Sequence, residues 1–338
     1  MDKKLIVAVI GLCMGEHHAS AVLEHKEAKL AAICDLDLEK LEQVGNKLNI
    51  PKENRYTKWQ DLLKVEGLNA VIVATPDQLH REMSETFLKA GIHVMCEKPL
   101  ALSREDISSM IHTAKEANVK FMVGQICRFT PAFVKAKELI DHGTIGDVYF
   151  VESEYAHDYA KILSAWRADP KRHGVVGGGC HAVDLLRWFA GDPEEVFAYG
   201  SHKLLPQVPY DDATIAVLKF PVGIIGKVFV STGCKRPYTM RTLIYGTKGT
   251  ILCDNTSEYM ELYTLGEDGI SAKPEPEIIP VDINNHNTVR EFAVFAEHIL
   301  RDTVVQMDAD QGARTIAVCM AIVESSQTGK AVAPDYGF

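Results

Sequence analysis

The first residues able to do recognisable chemistry are Gly11-Leu12-Cys13-Met14-Gly15, directly after the apolar run 5–10, and Asp35, which follows the next apolar run. A glycine straight after a strand permits a tight turn. It lets backbone N–H groups approach a pyrophosphate, which then rests on the positive end of the following helix. A carboxylate about 20 residues further on accepts hydrogen bonds from the ribose hydroxyls of an adenosine and repels a 2′-phosphate. Leu36 and Asp37 come next, with no arginine to receive such a phosphate. The pattern predicts a dinucleotide site that prefers NAD to NADP, lined by Gly11, Cys13, Met14, Gly15 and Asp35. It departs from G-x-G-x-x-G, because Cys13 and Glu16 stand where glycines would. A strand–turn–helix with incidental glycines, and an Asp35 that only caps a helix, are the plain structural alternatives.

Such groups need strands that end together. The runs 5–10, 30–34, 70–74, 93–96 and 121–123 read as strands buried on both faces, while 36–48, 77–90 and 103–118 carry apolar residues at helical spacing. Ser103, with Asp106 three residues on, starts the last of these as a capping box does. The alternation predicts a doubly wound parallel sheet over residues 1–124. Over residues 125–338 the rhythm changes. A helix follows Pro131, and then 148–156, 196–201, 213–220, 223–231, 241–245 and 250–254 read as strands. Several alternate apolar with polar residues and meet at short turns, which predicts an antiparallel sheet with one wetter face. Helices begin near His181 and cover 289–300 and 308–326. Residues 268–280, with Pro274, Pro276 and Pro280, read as an exposed loop.

Composition bounds the partners. With 338 residues, 46% hydrophobic and 24% charged, the chain is an ordinary globular protein of two domains. The formal net charge of −10 comes without any basic block, which excludes nucleic acid as an expected partner. No apolar run approaches the roughly 18 residues that mark a membrane span, and the start, Met1-Asp2-Lys3-Lys4 before the apolar run 5–10, is too short for a signal peptide. Eight cysteines, none in a C-x-x-C pair, read as reduced thiols of a cytoplasmic protein. There is no H-E-x-x-H, and adjacent Cys180 and His181 do not build a tetrahedral site, so no metal is expected.

Two strand ends carry more specific motifs. Val73-Ala74-Thr75-Pro76 is followed by His80, and His93-Val94-Met95-Cys96 runs into Glu97-Lys98-Pro99. Together with Gly11, Gly15, His18 and Asp35, they resemble the Gfo/Idh/MocA family (glucose–fructose oxidoreductase, inositol dehydrogenase and MocA-type proteins). The resemblance continues through Gln125-Ile126-Cys127-Arg128-Phe129, Trp166-Arg167, His181-Ala182-Val183-Asp184 and Glu324-Ser325-Ser326. It implies an amino-terminal Rossmann domain and a carboxy-terminal α/β domain with an open, mostly antiparallel sheet that commonly joins copies into homodimers or homotetramers. It also implies an NAD-dependent dehydrogenase that moves a hydride between nicotinamide and a secondary hydroxyl or ketone of a sugar, glycoside or cyclitol. Thr75, Pro76, His80, Glu97 and Lys98 join the expected cofactor site.

Taking a hydride from a carbinol carbon also requires taking the hydroxyl proton, so a base must be near. Lys98 is the candidate. Its ordinary pKa of about 10.4 must fall, which burial beside a positive nicotinamide would achieve and an inward Glu97 would oppose. By the resemblance His181 shares the proton transfer and Asp184 contacts substrate hydroxyls, with Arg128, Trp166 and Arg167 as further substrate contacts. The sequence departs from the inositol-dehydrogenase pattern at Gly177, where an aspartate four residues before the histidine is usual. His157, after a strand expected to line the site, is the candidate replacement. Two other functions fit the same motifs: an NAD-dependent glycosidase acting by transient oxidation, and a catalytically silent sugar-binding regulator.

Overall fold

The strand nearest the amino terminus, β1 (Leu5–Ile10), is built of Val, Ile, Ala and Leu, and Val7 to Val9 have no exposed surface. A strand buried on both faces needs helices above and below it, which is the condition of a parallel sheet. The computed structural model describes residues 4–338, so residues 1–3, the start of the segment read above for a signal peptide, lie outside the described residues. Around β1 stand β2 (Ala28–Cys34), β3 (Arg55–Tyr56), β4 (Ala70–Val73), β5 (His93–Glu97) and β6 (Phe121–Gly124), in the order β3-β2-β1-β4-β5-β6. Every neighbouring pair is parallel. The carboxyl ends of β1, β2, β4 and β5 therefore share one edge. The order reverses between β1 and β4, and that crevice is where open α/β sheets bind ligands.

The crossovers are α1 (Gly15–Glu24), α2 (Leu38–Lys47), α3 (His80–Lys89) and α4 (Arg104–Ala117). The Asp37 side chain caps α2 by accepting from the amides of Glu39 and Lys40, and Ser103 Oγ accepts from Asp106 N at the start of α4. The unit that runs to Gln125 also takes in Asn287–Ala313 and Phe338, which a linear division after residue 124 assigns to the second domain. Within it, α7 (Thr288–Leu300) lies against α1.

The second unit comprises Ile126–His286 and Arg314–Gly337. Its sheet holds β7 (Val148–Ala156), β8 (Glu195–Ser201), β9 (Ala213–Lys219), β10 (Ile225–Ser231), β11 (Thr242–Gly246), β12 (Gly249–Cys253), β13 (Tyr259–Thr264) and β14 (Glu277–Pro280). The order is β14-β13-β12-β11-β7-β10-β9-β8, antiparallel except for the central β7–β10 pair. In β9 alternate residues point to opposite faces: Thr214, Ala216 and Leu218 are buried, while Ile215 and Val217 are 40% and 55% exposed. The helix α6 (Cys180–Ala190) covers the buried face at β7 and β10, with α5 (Pro131–Asp141) beside it. The last helix is α8 (Ala309–Thr328). One reading needs correction. Of the segment 268–280, expected as an exposed loop, residues 277–280 instead form the edge strand β14, where Pro280 pairs with Tyr259. An edge strand tolerates proline because one side of it has no ladder partner.

Candidate active site

The backbone reverses at Gly11, where φ is +82° and a Cβ would strike the Ala74 carbonyl at the end of β4. Only glycine fits both conditions. Leu12 N then donates to Asp35 Oδ2 at 2.6 Å, so the carboxylate after β2 is tied to the loop after β1. Asp35 Oδ1 accepts from Asp37 N at 2.9 Å. The cap of α2 is Asp37, which leaves Asp35 at the sheet edge. No side chain caps α1 at Met14, so its first amides suit an anion. Cys13 is exposed beside it. Glu16, in the first turn, would oppose an anion, but Lys40 and Lys47 reach it at 2.8 and 2.6 Å. Their hydrogen bonds lower its pKa to about 2 and offset its charge. Glycine loop, uncapped helix and ribose-ready carboxylate fit a dinucleotide.

Thr75 and Pro76 follow β4. His80 lies wholly buried below them, its Nε2 at 3.0 Å from the Thr75 carbonyl and its Nδ1 at 2.9 Å from that of Pro99. Burial works against a charge on this ring, but Cys96, Asp77 and the Pro99 carbonyl outweigh it and raise the pKa to about 10. Through these two contacts His80 ties together the ends of two neighbouring strands. β5 ends on Glu97 and Lys98 follows it, both half-buried. Glu97 Oε1 meets His18 Nε2 at 2.8 Å, and Oε2 accepts from Lys98 N at 3.2 Å. Sequence reasoning did not find Glu291 on α7, which lies with Oε2 3.9 Å from His18 Nδ1 and has no exposed surface.

In the second unit His181 sits in the first turn of α6, 3% exposed. Its Nδ1 lies 3.4 Å from Cys127 Sγ, and its ring stacks on Tyr155 with centroids 6.1 Å apart. The Tyr155 hydroxyl in turn meets His157 Nδ1 at 3.1 Å and the Tyr159 hydroxyl at 3.0 Å. The ring of Tyr238 lies 4.8 Å from that of His157, and the ring of His286 lies 6.3 Å from that of His181. One tyrosine thus joins the two histidines that sequence reasoning paired. Burial raises the pKa values of Tyr155 and Tyr238 well above the phenol range, so both keep their protons as donors. Tyr155, His157 and Tyr159 recur every second residue from the end of β7, a same-face signal readable in the sequence. Tyr238 and His286 come from distant loops and gave no such signal.

The chain matches the description "Oxidoreductase family, NAD-binding Rossmann fold" over residues 5–125 and "GFO/IDH/MocA C-terminal domain" over residues 133–252. It is 32% identical to a myo-inositol 2-dehydrogenase of Thermotoga maritima over 264 residues, 75% of this chain and 76% of that one. The chain belongs to the Gfo/Idh/MocA family of oxidoreductases. It is also 25% identical to a D-xylose 1-dehydrogenase of Haloferax volcanii, over 95% of this chain and 93% of that one. Among solved structures, a levoglucosan dehydrogenase in complex with NADH shares its fold with a TM-score of 0.90. That match covers 98% of this chain and 99% of the other at 22% identity.

Against the Gfo/Idh/MocA pattern, four expected substrate residues are engaged with the protein itself. Arg128 Nε and Nη2 donate to Asp184 Oδ2 and Oδ1 at 2.7 and 2.8 Å, and Thr315 Oγ1 donates to Oδ1 at 2.9 Å. Asp184 is 1% exposed, so this bidentate pair fixes α6. Two guanidinium groups lie over the Trp166 ring, those of Arg167 at 4.1 Å and Arg172 at 4.9 Å from its centre. Gly177 falls in a buried π-helical turn, Val175–Gly179, that leads into α6. A Cβ there would run into the guanidinium of Arg172, which also donates from Nη2 to the Gly177 carbonyl at 3.3 Å. The place of the usual aspartate is filled by a cation.

Proposed function

We propose that this chain is an NAD-dependent dehydrogenase acting on a secondary hydroxyl of a sugar or cyclitol. The observation that carries this reading is the shared edge of the first sheet. Gly11 after β1, Asp35 after β2, Thr75 after β4 and Lys98 after β5 all stand at strand carboxyl ends. When bound, NAD accepts or returns the hydride. The chain's residues do the rest. Gly11 to Gly15 present backbone amides to the pyrophosphate, and Asp35 accepts from the ribose hydroxyls. His80 holds the strand end that carries Lys98. Lys98 takes the hydroxyl proton. Within the second unit Tyr155 orients His181 by stacking and passes a hydrogen bond to His157. Arg128 and Asp184 serve by holding α6 rather than by touching substrate.

The chemistry of the relatives supports this class, since inositol is a cyclitol, xylose and apiose are sugars and levoglucosan is an anhydrosugar, all rich in hydroxyl groups. We further propose that it works in the cytoplasm as a homo-oligomer. Eight free thiols support the first point. Tyr199, Ile215, Val217 and Ile225 support the second: they are exposed on one face of the second sheet, where cross-strand pairing sets Tyr199 opposite Ile215. Among the described residues no helix is long and apolar enough to cross a membrane. Absorbance at 340 nm with NAD and a panel of myo-inositol, D-xylose, D-apiose and levoglucosan tests the main reading. NADH formation with a member of that panel is expected. Release of an aglycone from a glycoside without net NADH would replace the dehydrogenase with a glycosidase.

A further inference from the structure

Glu291, on α7, is a buried acid of the first unit. It has no exposed surface, and neither carboxylate oxygen has a hydrogen-bond partner among the described residues. The ionisable groups that face it are His18 from α1 and Glu97 and Lys98 from the end of β5. From β6 the nearest neighbour is Gly124, which offers no side chain. His18, 1% exposed, stands between the two acids with Nε2 on Glu97 and Nδ1 toward Glu291. Nδ1 likewise has no hydrogen-bond partner. The gap of 3.9 Å is about 1 Å beyond hydrogen-bond reach. An ionised carboxylate buried without donors is costly. Burial, and then the like charge of Glu97, push the Glu291 carboxyl well above the usual range, with Lys98 opposing.

We propose that Glu291 acts through His18 and Glu97 as a positioning residue that sets the basicity of Lys98. In the starting arrangement Glu291 carries a proton, His18 donates its Nε2 proton to Glu97, and Glu97 is the anion, its Oε2 on the backbone amide of Lys98. When Lys98 gives up its proton, that anion loses its counter-charge. The Glu291 proton then passes to His18 Nδ1 as the Nε2 proton passes to Glu97 Oε1. Two protons move one place, none enters or leaves the trio, and the negative charge shifts from Glu97 to Glu291. A fixed anion at Glu97 would hold Lys98 as an ammonium. A movable one lets Lys98 serve as a base. This rests on Lys98 being the base, but the relay can be read without turnover.

The test is the pH dependence of acetylation of Lys98 by acetic anhydride in the whole protein, followed by peptide mass spectrometry. Glu291→Gln has the shape of the protonated acid and buries no charge, so it keeps the fold. The expected result is a rise of about one pH unit in the Lys98 midpoint, the low end for a neighbouring opposite charge made permanent. His18→Asn should give the same rise, and the double variant no more. With a substrate from the panel, the acid limb of kcat/KM should move by the same amount. A Glu291→Gln midpoint equal to the parent's would show that Glu291 only fills space and would overturn the proposal. A midpoint below the parent's would also overturn it, because Glu291 would then already be ionised in the parent. Loss of the panel activity with an intact midpoint shift would sink the assigned function and leave the relay standing.

Discussion

Two buried acids, one behind each histidine-bearing helix start, differ in what surrounds them. Asp184, three residues after His181, receives two bonds from Arg128 and one from Thr315. Glu291, facing His18, receives none among the described residues. Both are about equally hidden, at 1% and 0% exposure. Burial alone therefore says little about function. A saturated carboxylate holds its helix, because any movement breaks a buried charged pair. An unsatisfied one is tolerated only where the protonated form persists, which makes it a proton store. The resemblance points to Asp184, which is saturated by Arg128 and Thr315, whereas Glu291, which no motif contains, has no hydrogen-bond partner among the described residues.

The largest effect should come from breaking the saturated site. Asp184→Ala leaves Arg128 without its partner and should cost about 3–5 kcal/mol of stability, as breaking buried pairs does; denaturant unfolding measures it. A loss below about 1 kcal/mol would mean that the pair does not anchor α6. Next, Lys98→Ala should reduce turnover by about 10² to 10³, the range for losing a positioned acid–base, with NAD affinity and stability nearly kept. Near-parental turnover would remove Lys98 from the chemistry.

The link between the histidines sharpens the comparison within the second unit. His181→Ala and His157→Ala should each lower turnover by at least about tenfold, the value of one good hydrogen bond. The double variant should be little worse than the stronger single, since both act through Tyr155. Gly177→Asp should not raise turnover, because Arg172 occupies the space and would take the new carboxylate. Additive losses, or a more active Gly177→Asp, would separate the pair.

The smallest effect concerns pH and stability. Because the folded-state pKa of Glu291 is raised above its ordinary value of 4.5, the unfolded chain loses that proton first. Stability then falls as pH rises from about 4.5 toward the folded value. Glu291→Gln removes this loss, so its melting temperature should exceed the parent's by a margin that grows as pH rises above about 4.5. A constant margin would mean that Glu291 is not the titrating group.

Sequence alone determined the parallel sheet and its ligand edge. Runs of Val, Ile and Ala between glycine turns leave no soluble alternative to burial on both faces, and the strand ends then carry Gly11, Asp35, Thr75 and Lys98 to one edge by topology. Short-range periodicity also held the Tyr155, His157 and Tyr159 stripe. Tertiary structure alone decided which charges are spent and which are poised. That Arg128 saturates Asp184, that Arg172 fills the space at Gly177, and that Glu291 returns from residue 291 to face His18 are matters of packing between segments far apart in the chain. A residue type fixes the charge a side chain can carry. Only its neighbours fix whether that charge is compensated, and desolvation makes that difference large.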